Sequence, residues 1–206
     1  TMKWDGKIPF KHTEKLYIKR SDDFDEDRLA PQWQWNYQPR KDYFSLTERP
    51  GWLRLKAYRP LETNNLLKAG NTLTQRTFRK QNNDVTIKMD ISNMQDGQKN
   101  GLCHFSSQHS AIGIVKEEDA CYLEYRKNGN ITKGIQIHSE FVWFRTEWGM
   151  DGKSQYYYSL DGDNFLPFGE KYQLTWGNYR GDRIGIYCFN DKKETGSVDV
   201  DYCHYR

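Results

Sequence analysis

No stretch of the 206 residues approaches the ~18 consecutive apolar residues of a membrane-crossing helix, and the mean hydropathy is strongly negative. Neither charge sign dominates. Lys and Arg number 31 against 28 Asp and Glu, and the surplus of three is spread along the chain. That is too little for the electrostatic footprint of a dedicated nucleic-acid binder. Neither a membrane nor a nucleic acid is therefore expected as a partner. Cysteine is sparse: Cys103, Cys121, Cys188 and Cys203 form no close pair of the zinc-binding kind and lack the density of a disulfide scaffold. They are expected to be buried free thiols. No segment carries a convincing 3.6-residue apolar stripe, so helices are not expected.

Catalytic signatures are missing too. There is no Gly-x-Ser-x-Gly and no His-Glu-x-x-His. The close Glu-x-Asp-x-x-Glu run by which a sandwich glycosidase would set two carboxylates across a cleft is also absent. The five histidines, His12, His104, His109, His138 and His204, are dispersed without an acidic partner at a suggestive interval.

Aromatic residues are abundant, with 7 Trp, 14 Tyr and 10 Phe. Disordered chains are poor in such residues, so these rings must pack into a core or stack on something else. The length suits one domain with a core of useful size. Short alternating segments rich in β-branched and aromatic residues recur at 52–57, 73–78, 85–91, 112–115, 121–125, 141–146, 155–159, 183–189 and 197–205. Turn signals separate many of them: Arg49-Pro-Gly51, Gln95-Asp-Gly97, Lys127-Asn-Gly129, Met150-Asp-Gly152 and Leu160-Asp-Gly162. Many antiparallel strands at this spacing predict an all-β fold, a two-sheet antiparallel β-sandwich over residues 21–206. Residues 1–20 are basic and extended and read as a linker. The chain opens abruptly at Thr1-Met2-Lys3-Trp4 and reads as a piece excised from a longer protein.

Alternation assigns faces. Val85, Ile87, Met89 and Ile91 point to the core, leaving Thr86, Lys88 and Asp90 on a wet face. Val142 and Phe144 suit the core, which turns Trp143 and Arg145 outward; Tyr156 and Tyr158 go inward and Tyr157 outward. If 141–148 and 155–159 pair as a hairpin, Trp143, Arg145 and Tyr157 share one open face. Cys188 falls with Ile184 and Ile186 on the core side. Unbroken alternation in the last segment faces Val200 and Tyr202 inward and puts Cys203 on the opposite side.

Two constellations have two readings each. Trp33, Trp35 and Tyr37 alternate with Gln34, Asn36 and Gln38, placing three rings on one side and three amides on the other. They form either a platform on which sugar rings stack while amides bind hydroxyls, or an aromatic core stripe with a polar exterior. The run 22–27 contains five carboxylates and Asp199 and Asp201 lie at the far end of the chain. If first and last strands pair, Asp23 and Asp201 are side-chain ligands for a structural calcium ion, or the run is a solvated charged surface.

Several strings coincide with a known pattern: Asp22-Asp-Phe24 leading to Gln32-Trp-Gln-Trp-Asn36, Ser45-Leu-Thr-Glu-Arg-Pro-Gly-Trp-Leu-Arg-Leu55, Asn71-Thr-Leu-Thr-Gln-Arg76, Tyr158-Ser-Leu-Asp-Gly162 and Asp199-Val-Asp-Tyr202. Together, over about 21–206, they resemble the carboxyl-terminal concanavalin A-like jelly-roll domain that follows the five-bladed propeller in glycoside hydrolase family 43 β-xylosidases and arabinofuranosidases. Such domains are also classed among xylan-binding modules. The resemblance implies a non-catalytic accessory module that requires no cofactor and has an upstream propeller and xylan or arabinoxylan chains as its partners. The catalytic carboxylates would lie on that propeller, and residues 1–20 would be the connection to it. The loop at 61–73, which in this family leans toward the active-site mouth and often presents an aromatic residue, has none here. Cys203 stands where such domains tend to carry Phe, so slightly looser packing is expected there. The residues expected to contact sugar are Trp35, Asn36, Gln75, Trp143, Arg145 and Tyr157, with Trp33 and Trp148 in reserve. Two other readings are a purely structural domain that binds no sugar and a stand-alone sandwich glycosidase.

Overall fold

Strand-forming alternation and glycine-bearing turns produce the hairpins that build this domain. Asn128 and Gly129 both adopt positive φ (48° and 91°), the conformation of a tight hairpin turn, and Gly152 (φ 70°) sits in the next predicted reversal. The computed structural model describes Gly6, residues 19–177 and residues 181–206. The linker expected at 1–20 therefore lies outside the described residues, except for Gly6, Lys19 and Arg20.

Among the described residues the strands are β1 (Gln34–Trp35), β2 (Phe44–Ser45), β3 (Leu53–Lys56), β4 (Thr72–Arg76), β5 (Asn83–Asp90), β6 (Gln98–Phe105), β7 (His109–Glu117) and β8 (Ala120–Lys127). They continue with β9 (Asn130–Ile137), β10 (Phe141–Trp148), β11 (Lys153–Ser159), β12 (Leu166–Pro167), β13 (Tyr172–Gln173), β14 (Arg183–Asn190) and β15 (Ser197–Tyr205). A front sheet runs β12-β11-β10-β5-β15-β3-β2, with β13 added to β11, and a back sheet runs β1-β4-β14-β6-β7-β8-β9. Every pairing is antiparallel. The two-sheet all-β sandwich read from the sequence is the observed architecture.

The core lies between the inner faces. Val85, Ile87, Met89, Val142, Phe144, Tyr156 and Val200 from the front sheet meet Leu73, Leu102, Ile112, Ile114, Leu123, Ile184 and Ile186 from the back. A second, smaller cluster covers the outer side of the back sheet. There the segment between β3 and β4 folds over β14 and β6, so Leu66 and Ala69 bury against Cys103, Phe105, Tyr187 and Phe189. A single Cβ on Gly113 would fall 2.3 Å from the Tyr187 hydroxyl, so the bare glycine makes room for that ring. Strands β14 and β6 are consequently buried on both faces. For β6 this double burial erases the alternation, and its sequence Gln-Lys-Asn-Gly-Leu-Cys-His-Phe gives no strand signal. Strand β9 also escaped the sequence reading: it is a mostly exposed edge strand in which Ile131 and Ile135 stay open to solvent and only its last residue, Ile137, is buried.

The last strand corrects one expectation. Register shifts between Val200 and Tyr202, a bulge that inserts one residue and reverses the alternation beyond it. Cys203 is therefore buried in the core beside Val200, whereas Tyr202 is half-exposed on the outer face. All four cysteines are free; Cys103, Cys188 and Cys203 are buried, while Cys121 is only partly so.

Two buried details generate tests. The Trp33 indole N–H donates to Asp22 Oδ2 at 2.7 Å, and Phe24 N donates to Asp22 Oδ1 at 3.1 Å, so a nearly inaccessible carboxylate depends on Trp33 for one of its donors. Trp33→Phe is expected to destabilise the domain by about 2 kcal/mol in chemical denaturation, since it strands a buried acceptor; an unchanged midpoint would show that the bond is dispensable. His104 lies between the sheets, with Nε2 2.9 Å from Thr146 Oγ1 and its ring against Trp148, Tyr156 and Tyr172. Burial lowers its pKa to about 3. Burial, with Arg126 nearby, lowers that of His109 to about 4. Both are depressed below the ordinary histidine value, so the unfolded chain binds more protons than the folded one between those limits. Stability is then complete above about pH 6.5 and falls as pH drops toward 4, by roughly 1.4 kcal/mol per pH unit for each histidine in the steep part. Urea unfolding between pH 7.5 and 4.5 should show this slope, and His104→Phe should flatten it by about half; pH-independent stability over that window would refute the assignment.

Candidate functional site

Closing the sandwich buries one face of the front sheet and leaves the other to solvent. On that outer face β10 contributes Trp143, Arg145 and Glu147, β11 contributes Tyr157, β5 contributes Thr86 and Lys88, and β15 contributes Tyr202 and His204. Arg145 pairs directly with Tyr157 on one side and Thr86 on the other, and Trp143 pairs with Lys88. Trp143, Arg145 and Tyr157 are all half-exposed.

The face is ordered by contacts of its own. Arg145 Nε donates to Thr86 Oγ1 at 3.0 Å, its guanidinium carbon lies 3.7 Å from the centre of the Phe165 ring, and its Nη1 is 4.0 Å from Glu147. Phe165 is presented by the turn after β11, where Asp161 Oδ1 accepts from the backbone N–H groups of Asp163 and Asn164 and from the Ser159 hydroxyl. Those donors, with the Asn164 side chain foremost, hold the Asp161 carboxyl well below its usual range. A Cβ on Gly162 would approach the Trp143 ring to 3.0 Å, so glycine in this turn lets the indole lie against it. Lys88 Nζ bonds Asp201 at 2.7 Å and stays within 6 Å of the Trp52, Phe141 and Trp143 rings. Tyr202 and His204 stack at 4.0 Å, and His204 Nε2 is 2.7 Å from Asp23 Oδ1. Burial, then the Glu147 carboxylate beside it, raises the Tyr157 phenol.

At the β3 end the same face is closed by ion pairs. Asp199, fully buried, receives Arg54 Nε and Nη2 at 2.7 and 2.8 Å and Arg49 Nη1 at 2.9 Å, and Arg49 also reaches Asp90 at 2.6 Å. The Arg49 guanidinium lies 3.8 Å over Trp52.

The eight expected contact residues separate into three groups. Trp143, Arg145 and Tyr157 are brought together as the alternation predicts. Trp33, Trp148 and Gln75 lie in the interior: Trp33 stacks on Phe24, Trp148 donates to Phe78 O, and Gln75 donates to Arg20 O. Their polar edges serve the fold, so none of the three presents itself to an outside ligand. Asn36 is also buried, its amide tying the carbonyls of Leu67 and Ala69, and Trp35 is half-buried against Phe44. The alternation expected from Trp33 to Tyr37 is thus partly realised, as a core ring, a half-buried ring and an exposed one. Beside it lies a concavity of about 430 Å³ lined by Asn36, Tyr37, Leu67, Lys68 and Phe105, with the strongly exposed Trp176 close to Gly181 on its rim.

Asp23 and Asp201, expected as calcium ligands, each have a basic partner of their own, His204 and Lys88. Among the described residues no group of three or more His, Cys, Asp or Glu is placed to hold a metal ion. Sequence reasoning missed Phe165, Tyr202 and His204. Phe165 was signalled by the Asp-Gly turn just before it, while the other two were hidden by the bulge.

Comparison with known proteins identifies the domain. Residues 21–206 match the family described as the β-xylosidase C-terminal concanavalin A-like domain. A β-xylosidase of Formosa agariphila is 35% identical over 91% of this chain and 35% of its own length, and a putative β-xylosidase of Xylanibacter ruminicola is 31% identical over 79% of this chain and 30% of its own. The chain spans about a third of the length of these curated relatives. Among solved structures, a bifunctional GH43-CE protein of Bacteroides eggerthii superposes with a TM-score of 0.82 at 29% identity, over 90% of this chain and 25% of that one. A GH43 glycoside hydrolase engineered to display endo-xylanase and exo-arabinofuranosidase activity shares the fold, with a TM-score of 0.81 at 23% identity over 95% of this chain and 42% of its own. The chain belongs to the family of C-terminal concanavalin A-like domains of glycoside hydrolase family 43 β-xylosidases.

Proposed function

We propose that this domain is a non-catalytic accessory module of a xylan- or arabinoxylan-degrading glycoside hydrolase, and that its front sheet holds xylose-containing chains beside a catalytic propeller. The observation that carries this reading is the outward, half-exposed grouping of Trp143, Arg145 and Tyr157 on adjacent paired strands. Pyranose rings offer C–H faces to aromatic planes and hydroxyls to charged and amide groups. Here rings alternate with paired charges, donors beside acceptors, over a rigid sheet. Each good contact is worth about 1 kcal/mol net, so an isolated oligosaccharide should bind in the millimolar to micromolar range. Tethering to a neighbouring active site turns such weak binding into a high local substrate concentration.

A second reading has its own observation. The exposed Trp176 beside the Asn36–Leu67 concavity, with Leu61 also strongly exposed, suits burial against another domain, in which case the module completes or stabilises the propeller. The two readings involve different surfaces and are compatible.

Trp143→Ala separates them. In affinity electrophoresis on xylan and arabinoxylan gels, the intact domain is expected to be retarded, and the variant to migrate as if no polysaccharide were present while keeping its circular dichroism spectrum. An unretarded parent domain would leave the structural reading in possession. The purified chain is expected to release no sugar from xylooligosaccharides.

A further inference from the structure

Next to the Trp143–Arg145–Tyr157 strip, the front sheet ends in an open groove of about 680 Å³. Its floor is the far end of the β10–β11 hairpin, with Glu147, Gln155 and Tyr157, and one wall is the approach to β5, with Gln81 and Asn82. Tyr157 belongs to both surfaces: it pairs with Arg145 in the strip and lines the groove together with Glu147. Trp143 and Glu147 are both outward residues of β10, four positions apart, hence about 13 Å along the strand. That is longer than one sugar ring.

The chemistry of the groove selects its occupant. The carboxylates of Asp84, Glu147 and Asp151 outnumber the ammonium groups of Lys153 and Lys171 by one, so the groove carries only a slight negative charge. Both hydrogen bonds recorded for the Gln155 amide use its Nε2, toward Tyr156 O and Gly169 O, and among the described residues its Oε1 acceptor has none. Closely spaced acceptors, donors and amides around one aromatic edge suit a neutral polyhydroxylated ligand, and disfavour an anionic or apolar one.

We infer that the groove is a second carbohydrate subsite, continuous with the aromatic strip, and that the domain therefore recognises an extended neutral chain of several pentose units rather than a single sugar or chain end. This rests on the sugar-binding reading above, and adds to it the length and direction of the ligand, which lies along β10 from Trp143 to Asn82.

Calorimetric titration of the 206-residue chain with xylobiose and xylohexaose tests both levels. The expected result is a hexaose association constant at least tenfold above that of the dimer, with the difference reduced to threefold or less in Asn82→Ala/Glu147→Ala. Both residues are exposed, so folding should be unaffected. Trp143→Ala should weaken both ligands. Equal affinities for dimer and hexaose would overturn the extended subsite and leave the sugar-binding strip standing. A length advantage that survives the double substitution would also overturn it, by placing the additional contacts elsewhere. If neither sugar binds, the sugar-binding reading falls and the subsite with it.

Discussion

The outer face of the front sheet depends on the burial of its inner face. Val85, Ile87 and Met89 on β5, Val142 and Phe144 on β10, and Tyr156 on β11 are fixed between the sheets, and a strand's period of two leaves no freedom in what their neighbours do. Thr86 and Lys88, Trp143 and Arg145, and Tyr157 must all face outward together. A register slip of one residue in any of these strands would exchange the two sets, exposing the core and burying charge, so hydrophobic closure specifies the surface constellation indirectly and strongly.

The two sheets treat their outer faces differently, which explains where a ligand-accessible surface survives. On the back sheet the segment carrying Leu66 and Ala69 seals β14 and β6, and buried Tyr187 and Phe189 are consumed in packing. Among the described residues the front sheet has no such cover at β10 and β11. Its β3 end is instead closed electrostatically. Asp199 is taken out of water, and a lone carboxylate there would cost several kcal/mol; two guanidinium groups surround it, one of them stacked on Trp52. This arrangement consumes Arg49 and Arg54, whereas Arg145, bonded through Nε to Thr86, lying over Phe165 and 4.0 Å from Glu147, stays half-exposed.

Legibility followed the alternation. Strands β5, β10 and β11 each have one dry and one wet face, and from them the grouping of Trp143, Arg145 and Tyr157 could be read before any coordinates. Where that condition fails, the sequence is silent or misleading. Strand β6 is buried on both sides, which erases its alternation, and β9 is an edge strand buried only at Ile137, with Lys133 and Gly134 interrupting its apolar positions. The bulge near Asp201 exchanges Tyr202 and Cys203 between faces, and one inserted residue leaves no local mark in composition. Trp33, Trp148 and Gln75 illustrate a different limit: residue type suggested contact, yet each polar edge is satisfied inside, by Asp22, Phe78 O and Arg20 O. A tryptophan with a buried partner for its N–H is indistinguishable in sequence from one stacked on a ligand.

Preorganisation decides how much such a modest surface can achieve. Ordering a free arginine or lysine on binding forfeits about 1 kcal/mol of rotamer entropy per side chain, comparable with the net worth of one new hydrogen bond. On this sheet that entropy is lost at folding. Arg145 is held by Thr86 and Phe165, Lys88 by Asp201 and three rings, and Trp143 against the Gly162 turn. Ion pairs this exposed add little to stability in themselves; their effect is to hold donors and acceptors in fixed positions between the rings. For the long, neutral chain proposed as ligand, an outer face ordered in this way offers many fixed contacts along its length, whereas a compact ligand needs an enclosing pocket to gather enough of them.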